Sequence, residues 1–430
     1  MTEHVLILLL NGRQVGEVRR NGQKLSLHYD SAWRDDPAAY PVSLSMPLAS
    51  PDHPHAAINA FIWGLLPDNE QVLDRWARQF HVSARNPFAL IGAVGEDCAG
   101  AVQFVTPERA EALTQGDEDD VQWLDDEQIE DRLQTLRQDH AAWRDRRDHG
   151  QFSLAGAQPK TALLQRDGRW GVPSGRNPTS HILKPPSGAF DGHAENEHFC
   201  LRLAARLGLP VAWSEVRRFG EEIAIVVERY DRQAVDGRLL RIHQEDICQA
   251  LGVPPTRKYQ AERGPDVRRC VTLIRDQSSE PGEDVDTFIQ AILFNWIIGG
   301  TDAHAKNYSL LIAEEGQVRL APLYDVSSAL PYEGLQYQRL KLAMKLGGEY
   351  YLRDIGPRQV AKMAVEIRQD PASLIARAQT MADQIVGEAP FVAADLVATG
   401  LNHAMIPRLS ALLVDRSTRL SADLAAWAPN

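Results

Sequence analysis

Hydrophobic positions in the first hundred residues fall into short extended runs. Asn11-Gly12 and Asn21-Gly22 separate the first three of these runs, and such pairs favour the positive φ angles of tight hairpin turns. Helical periodicity follows over 70–80, and a further strand-like patch covers 99–105. The chain therefore begins with a predicted β-rich unit, whose first strands are residues 6–10, 14–19 and 24–29.

Residues 106–149 contain more clustered charged residues than the segments on either side. Acidic residues cluster at 117–120 and 125–127, and a run of mixed charge covers 143–148. Charge runs of this kind are typical of a solvated helix face or a linker. We therefore place a domain boundary within this stretch.

From residue 150 short strands come first and helices follow. A small-residue loop covers 153–158, and an amphipathic helix over 195–207 stops at Gly208. After Asp246 the pattern is mainly helical, with an extended interruption over 308–325. The predicted strands of this part are 160–165, 181–184 and 223–227.

Length, hydrophobic content and net charge limit the classes of protein to which this chain could belong. The chain has 430 residues, of which 44% are hydrophobic, so it can form two or three packed units. No apolar run approaches the roughly 18 residues of a spanning helix, and an acidic residue precedes the first apolar run, so no signal peptide is predicted. A net charge of −12 argues against non-specific nucleic-acid binding by the surface as a whole.

Cysteine usage indicates a reducing, cytoplasmic location. The four cysteines lie far apart, with no Cys-x-x-Cys pair and no histidine at metal-ligand spacing. A disulfide or zinc site is the less favoured alternative, and we expect buried, reduced thiols. These residues are Cys98, Cys200, Cys248 and Cys270.

An apolar helix followed by polar side chains carries the candidate chemistry. The predicted helix 286–298 ends at Gly299-Gly300, and Asp302 and Asn307 follow directly. A second carboxylate, Asp325, comes after a predicted hairpin. Phosphoryl transfer needs such a set: one carboxylate for the attacking hydroxyl, and an asparagine and an aspartate for the metal ion on the phosphates.

The spacing Asp302-x4-Asn307 matches the catalytic loop of protein kinases, and Asp325 stands where their metal-binding aspartate would be. No His-Arg pair precedes Asp302, and Val326-Ser327 replaces Phe-Gly, so the pattern departs from those enzymes. Asp-x4-Asn is a weak signal by itself. The helix before it and the hairpin after it make it more specific.

Other candidates each have two interpretations. Lys184 closes an apolar strand and could neutralise phosphates, or could be a surface lysine. Glu195 or Glu197 could form an ion pair with Lys184. Alternatively, their negative charges could stabilise the positive N-terminal end of their own helix. The strand end 228–230 could meet adenine through backbone groups or could hold an ordinary ion pair. The loop 153–158 could let backbone N–H groups approach phosphate, although it lacks a Gly-x-Gly-x-x-Gly pattern.

Eight ordered segments together resemble the HipA family. They are FSLAGAQPKTALL, HILKPP, ENEHFCLRLAARLGL, VVERYDR, HQEDICQALG, GGTDAHAKNYSLL, PLYDVSSA and LKLAMKLGG. The N-terminal unit is similar too, through LLPDNEQVLDRWARQFHVSARNPFALIGAVGEDCAGAV. The resemblance covers nearly the whole chain, and it is least characteristic in the charged stretch and the last sixty or so residues.

The resemblance implies an α+β, two-lobed, protein-kinase-like fold of the HipA type. It divides the chain into a β-rich N-terminal subdomain (1–108), a charged linker or helix (109–149), a kinase N-lobe core with the phosphate-binding loop (150–232) and a helical C-lobe with the catalytic loop (233–430). The implied activity is that of a Ser/Thr protein kinase that uses ATP and Mg²⁺.

The resemblance also implies roles for individual residues. Asp302 is the catalytic acid–base residue, Asn307 and Asp325 bind magnesium, and Ser153 is the autophosphorylation serine. A phosphate on Ser153 would repel the ATP phosphates and pull its loop out of the site. The implied ATP contacts are Ala155, Gly156, Ala157, Gln158, Lys184, Glu228, Arg229, Tyr230, His304, Lys306, Asn307 and Tyr324.

Members of the family arrest growth and cause persistence by phosphorylating an aminoacyl-tRNA synthetase, characteristically glutamyl-tRNA synthetase. The implied partner is a HipB-like helix-turn-helix antitoxin, with DNA contacted mainly through that antitoxin and no membrane. The implied location is the cytoplasm, at the nucleoid when bound to antitoxin and operator. The alternatives are a small-molecule or lipid kinase with the same Asp-x4-Asn loop, and a catalytically silent co-repressor scaffold.

Overall fold

A computed structural model describes residues 4–115, 120–145, 148, 151–186, 188 and 190–428. Most of the acidic cluster at 117–120 and part of the mixed-charge run at 143–148 lie outside these residues. Among the described residues, none of the helices is both long enough and apolar enough to cross a membrane.

The strands, in chain order, are β1 (His4–Leu10), β2 (Arg13–Asn21), β3 (Lys24–Tyr29), β4 (Asp52–His53), β5 (Val102–Val105), β6 (Val121–Leu124), β7 (Thr161–Arg166), β8 (Arg169–Pro173), β9 (His181–Lys184), β10 (Ser214–Phe219), β11 (Glu222–Glu228), β12 (Arg232–Val235), β13 (Arg238–Arg241), β14 (His243–Asp246), β15 (Ser309–Ile312), β16 (Val318–Leu320), β17 (Lys341–Leu346) and β18 (Glu349–Tyr351).

The α-helices are α1 (Ser31–Arg34), α2 (His55–Leu65), α3 (Glu70–Gln79), α4 (Pro87–Val94), α5 (Pro107–Gln115), α6 (Asp126–Gln138), α7 (His193–Arg206), α8 (Ile247–Ala250), α9 (Val267–Gln277), α10 (Pro281–Ile298), α11 (Pro357–Glu366), α12 (Pro371–Ala398) and α13 (Met405–Ala425).

These elements form two compact units. The first comprises Met1–Ser187, Arg217–Thr256 and Ser309–Arg319. The second comprises Gly188–Val216, Arg257–Tyr308 and Leu320–Asn430. Both units are therefore built from segments that are distant in sequence, and their boundaries differ from those of the four predicted segments.

The N-terminal sheet of the first unit has the strand order β4-β3-β2-β1-β5, with antiparallel neighbours. Both predicted hairpins are confirmed. Asn11 and Gly12 have φ angles of 49° and 78°, as a two-residue turn with two positive φ angles requires, and Gly22 has a φ of 62° in the second turn. Leu8 and Leu9 are fully buried, so β1 contributes apolar side chains to both faces of the sheet.

A six-stranded sheet follows in the order β10-β11-β9-β7-β8-β6. Helix α6 packs on it, and Ile129 and Leu133 share a buried cluster with Leu163, Leu183 and Val226. The charged stretch thus supplies an edge strand and a packed helix. Its apolar side chains recur at helical spacing within the charges, and they are buried at Ile129, Leu133 and Leu136.

The predicted hairpin after the catalytic loop is confirmed as β15 and β16, and β14 completes a three-stranded sheet with them. The second unit is mainly helical, as predicted, but it also contains the antiparallel hairpin β17–β18, which the sequence pattern did not predict. Its core includes α10, whose side chains Phe288, Leu293 and Trp296 are fully buried.

The prediction of buried, reduced thiols is confirmed. All four cysteines are buried, and none of them forms a disulfide bond.

Candidate active site

The predicted site residues fall into two groups, one on each compact unit. The first unit holds the small-residue loop, the strand-end lysine and the segment after β11. The second unit holds the catalytic loop and the aspartate that follows the hairpin.

In the first unit, the small-residue loop is held by the N-terminal subdomain. Ser153 is fully buried: its N–H donates to the carbonyl oxygen of Asp97 at 2.9 Å, and its hydroxyl donates to that of Leu65 at 2.9 Å. Further along, the N–H of Asp68 donates to the carbonyl oxygen of Gly156 at 2.9 Å. Residues from 65 to 97 therefore determine the position of this loop.

The curvature of the loop depends on Gly156 and Lys160. Gly156 has a φ of 100°, and a Cβ atom there would lie 2.6 Å from the ammonium nitrogen of Lys160. That ammonium donates to the carbonyl oxygen of Ala155 at 2.6 Å and lies 5.0 Å from the ring centroid of Trp143. Ala157 is exposed. Small side chains there let backbone N–H groups approach an anionic ligand, which is the property predicted for this loop.

Lys184 is the last residue of β9 and pairs with Ile225 of β11. It is 7% exposed, so the interpretation as a surface lysine is wrong. At the other end of the same pairing, exposed Glu228 lies opposite His181. The two strands thus place Lys184 and Glu228 three positions apart along the sheet.

The side chain of Arg229 is buried and makes its hydrogen bonds inside the first unit. Its guanidinium donates to the carboxylate of Asp231 at 2.8 and 3.0 Å, to the carbonyl oxygen of Cys98 at 2.7 Å and to the hydroxyl of Thr179 at 2.9 Å. The structure therefore favours the ion-pair interpretation of this side chain over a nucleotide contact. The hydroxyl of the neighbouring Tyr230 donates to the amide oxygen of Gln244.

Asp97 lies at the centre of this buried network, and no sequence pattern indicated its role. Its carboxylate accepts from Arg232 at 2.8 Å, Arg241 at 3.2 Å and Arg229 at 3.3 Å, and from the Thr179 hydroxyl at 2.6 Å. Burial by itself would raise the pKa of Asp97, but the three guanidinium charges and the hydroxyl hydrogen bond outweigh it and lower the pKa to about 2.

In the second unit, the end of α10 determines where the catalytic loop begins. Gly299 has a φ of 69° and stops the helix. The last carbonyl groups of the helix accept hydrogen bonds from distant residues: Arg416 donates to the carbonyl oxygen of Ile297 at 2.9 Å, and the Ser328 hydroxyl donates to that of Ile298 at 2.6 Å. The loop therefore leaves the helix in a fixed direction.

Asp302 and Asn307 are brought together as predicted. The carbonyl oxygen of Asp302 accepts from the N–H of His304 at 2.7 Å and from the side-chain amide of Asn307 at 3.0 Å. Asp302 is exposed, whereas His304, Lys306 and Asn307 are buried. Because the amide nitrogen of Asn307 is used within the loop, its amide oxygen is directed elsewhere and can serve as a ligand.

The segment that carries Asp325 is tied to the catalytic loop. The hydroxyl of Tyr324 donates to the carbonyl oxygen of Lys306 at 2.7 Å. Asp325 has a φ of 56°, a left-handed conformation that is uncommon outside glycine and that asparagine and aspartate tolerate best. Backbone in this region is frequent at functional sites, where the surrounding structure holds it.

Asn196 is a positioning residue that the sequence did not indicate. Its amide oxygen accepts from the N–H of Ser328 at 2.9 Å, and its amide nitrogen donates to the carbonyl oxygen of the same residue at 2.8 Å. Helix α7 thus holds the backbone just after Asp325. Glu195 and Glu197 flank Asn196 and are buried, and their pairing with Lys184 remains a prediction.

A second unpredicted residue, Tyr259, touches the predicted catalytic group. Its hydroxyl donates to the Asp302 carboxylate at 2.6 Å. The two residues are 43 positions apart, so no local motif signals this contact.

The donor set fits magnesium. Among the described residues there is no group of three or more His, Cys, Asp or Glu side chains that could hold a metal ion unaided. Mg²⁺ differs from metals that need such groups, because it commonly binds one or two carboxylate or amide oxygens together with substrate phosphates and water. The oxygens of Asn307 and Asp325 suit that mode of binding.

Comparison with known proteins identifies the family. The profile of the HipA-like C-terminal domain matches residues 152–390, and that of the HipA N-terminal domain matches 6–105. The protein Y4mE of Sinorhizobium fredii is 41% identical over 83% of this chain and 84% of its own length. The serine/threonine-protein kinase toxin HipA of Shewanella oneidensis is 32% identical over 78% of this chain and 76% of its own length.

The fold agrees with this relationship. A solved Shewanella oneidensis structure, that of HipA with HipB and operator DNA, superimposes with a TM-score of 0.84 at 26% identity and covers 98% of each chain. The predicted family, fold class and enzyme class are thereby confirmed. The chain belongs to the HipA family and is a protein kinase with the α+β, two-lobed fold of that family.

Proposed function

We propose that this kinase is a toxin that transfers the γ-phosphate of ATP to a serine or threonine hydroxyl of a protein. The observation that carries the proposal is the arrangement of the catalytic loop. The Asp302 carboxylate is exposed to an incoming acceptor, and Asn307 is fixed against the Asp302 backbone. A kinase needs this combination of an accessible carboxylate and an anchored amide ligand.

The proposed reaction follows from the roles of these groups. Asp302 orients the acceptor hydroxyl and takes its proton while the hydroxyl oxygen bonds to the γ-phosphorus. The bond from that phosphorus to the β–γ bridging oxygen breaks, and ADP leaves with the bonding electrons. Asn307 and Asp325 would hold Mg²⁺, which neutralises charge on the phosphates when it is bound.

The nucleotide contacts are proposed for both units. In the first unit, Lys184 would meet the phosphates together with the backbone of Ala155, Gly156, Ala157 and Gln158, and Glu228 and Tyr230 would meet the base and ribose. In the second unit, the proposed nucleotide contacts are His304, Lys306 and Tyr324. Arg229 would contribute backbone groups to the base and ribose contact, because its guanidinium is hydrogen-bonded to Asp231.

The proposed target is an aminoacyl-tRNA synthetase such as glutamyl-tRNA synthetase, and its phosphorylation would stop growth and produce persister cells. The proposed partner is a HipB-like helix-turn-helix antitoxin, through which the chain would contact DNA. The complex of the Shewanella oneidensis protein with HipB and operator DNA supports this partner. These partners would place the kinase in the cytoplasm, and at the nucleoid when it is bound to antitoxin and operator.

Phosphoproteomics after a short pulse of expression tests the target. Cells that express the wild-type chain should gain phosphoserine or phosphothreonine on a synthetase, and cells that express Asp302→Asn should not. Identical phosphoproteomes with identical growth arrest would contradict the proposed function and favour a scaffold without catalysis.

The burial of Ser153 predicts a one-way switch. Its hydroxyl is a donor to the Leu65 carbonyl, and a phosphate dianion in the same place would present only acceptors to that carbonyl. Phosphorylation would therefore require the loop to leave its position and would prevent its return. We expect Ser153→Asp to lower Mg-ATP affinity and transfer by about tenfold or more, since a buried carboxylate is similarly excluded.

Ser153→Ala is the matched control, because it removes the acceptor hydroxyl without adding charge. It should abolish phosphorylation at this position and retain most of the affinity, measured by isothermal titration calorimetry. Wild-type affinity and activity in Ser153→Asp would rule out the electrostatic switch.

A further inference from the structure

The hydroxyl of Tyr259 donates a hydrogen bond to one oxygen of the proposed catalytic carboxylate, that of Asp302. The Tyr259 oxygen lies 2.6 Å from Oδ1 of Asp302, within the range of a charge-assisted O–H···O⁻ hydrogen bond. Asp302 is exposed, and an exposed aspartate samples several side-chain rotamers unless its neighbours hold it. Tyr259 is such a neighbour, because its hydrogen bond restrains the Asp302 carboxylate.

The ring of Tyr259 is fixed by the catalytic loop itself. It packs edge-to-face against the His304 ring, with 5.0 Å between centroids and an interplanar angle of 81°. His304 is buried, and its N–H donates to the Asp302 carbonyl oxygen at 2.7 Å. Tyr259 therefore contacts both the Asp302 carboxylate and His304, the residue that hydrogen-bonds the Asp302 backbone.

The backbone around Tyr259 is held by several hydrogen bonds. Its carbonyl oxygen accepts from the N–H groups of Glu262 at 2.9 Å and Gly264 at 3.0 Å. The adjacent Gln260 accepts the N–H of Lys345, in β17, through its side-chain oxygen at 2.7 Å. A Cβ at Gly264 would lie 2.2 Å from the Arg257 carbonyl oxygen, so the turn admits only glycine there. Such anchoring suits a residue that holds another group in place rather than one that swings aside.

We propose that Tyr259 is a positioning residue that holds the Asp302 carboxylate in the orientation required to receive the acceptor proton. The inference rests on the proposed role of Asp302. A catalytic base must be held close to its productive geometry, and a small displacement lowers the rate of the chemical step without affecting nucleotide binding. Tyr259 therefore acts on the chemical step through Asp302.

Tyr259→Phe tests this proposal, because it removes the hydroxyl and keeps the ring that packs on His304. We measure transfer from radiolabelled ATP with Mg²⁺ to the chain itself and to water, together with the Kd for Mg-ATP and the Tm. The expected result is a fall in kcat of roughly 10- to 100-fold with unchanged Kd and Tm. The control is Tyr351→Phe in β18, which keeps the ring that lies beside Lys341 and Arg353, and it should match the wild type.

The outcomes separate this inference from the proposed function. Wild-type kcat in Tyr259→Phe beside an inactive Asp302→Asn would overturn the positioning role alone. A parallel loss of Tm and nucleotide affinity would also overturn it, since the hydroxyl would then be merely structural. Phosphate on Tyr259 itself, detected by mass spectrometry, would show an acceptor instead. Full activity in Asp302→Asn, or none in the wild type, would overturn the proposed function and the inference with it.

Discussion

Replacing Asp302 with asparagine is expected to lower kcat for phosphoryl transfer by about 10²- to 10⁴-fold, the usual contribution of a general base. The Kd for Mg-ATP should stay within about twofold of the wild-type value, because the carboxylate is proposed to act on the acceptor hydroxyl and not on the nucleotide. The Asp302 backbone carbonyl, which anchors Asn307, is retained in the variant. Single-turnover transfer and equilibrium nucleotide binding measure the two quantities separately.

Asp325→Asn is the matched comparison, since both changes replace a carboxylate by an amide of the same shape. Asparagine also tolerates the left-handed backbone at 325, where φ is 56°, so the change tests charge rather than fold. Here both kcat and Mg-ATP affinity should fall, because the lost charge belongs to a proposed metal ligand. Equal effects of the two variants on nucleotide affinity would contradict their separate roles.

The sequence predicted those parts of the molecule that depend on local patterns. The two N-terminal hairpins, the apolar helix before the catalytic loop and the hairpin after it are confirmed, because each is encoded by residues a few positions apart. The family was recognisable from the order of its motifs. The contact between Asp302 and Asn307 follows for the same reason, since only five positions separate them.

The parts that the sequence did not predict are held together by long-range contacts. Tyr259 reaches Asp302 across 43 positions, and Asn196 reaches Ser328 across 132. The sequence placed Arg229 at the end of a strand. In the structure its guanidinium is buried and donates to the carboxylate of Asp97, which is 132 positions earlier in the chain. No periodicity or motif connects such pairs, so only the folded chain shows them.

Asp97→Asn is expected to reduce the free energy of unfolding by about 3–5 kcal/mol, because removing one member of a buried ion network leaves the others uncompensated. The Asp97 carboxylate binds Arg229, Arg232 and Arg241, each of them nearly inaccessible to solvent. Asparagine has the same shape but no charge, so the guanidinium groups would remain buried with less negative charge around them. Urea unfolding followed by circular dichroism measures the difference.

The pH dependence of this deficit identifies its origin. The pKa of Asp97 is about 2 in the folded chain and about 3.9 in an unfolded one, so the unfolded chain takes up the proton first as the pH falls. The carboxylate therefore contributes fully above about pH 5, and its contribution is lost as the pH approaches 2. The deficit of Asp97→Asn should be equal at neutral and mildly acidic pH and should shrink below about pH 4.

Asp139→Asn is the control, because Asp139 also pairs with one arginine, Arg75, but its side chain is 50% exposed. Solvent screens such a pair, so the free energy of unfolding should change by no more than about 1 kcal/mol. A deficit as small as this in Asp97→Asn would mean that the buried network does not stabilise the first unit. The Asp97 carbonyl oxygen also accepts the Ser153 N–H, and the substitution keeps this backbone contact with the loop 153–158.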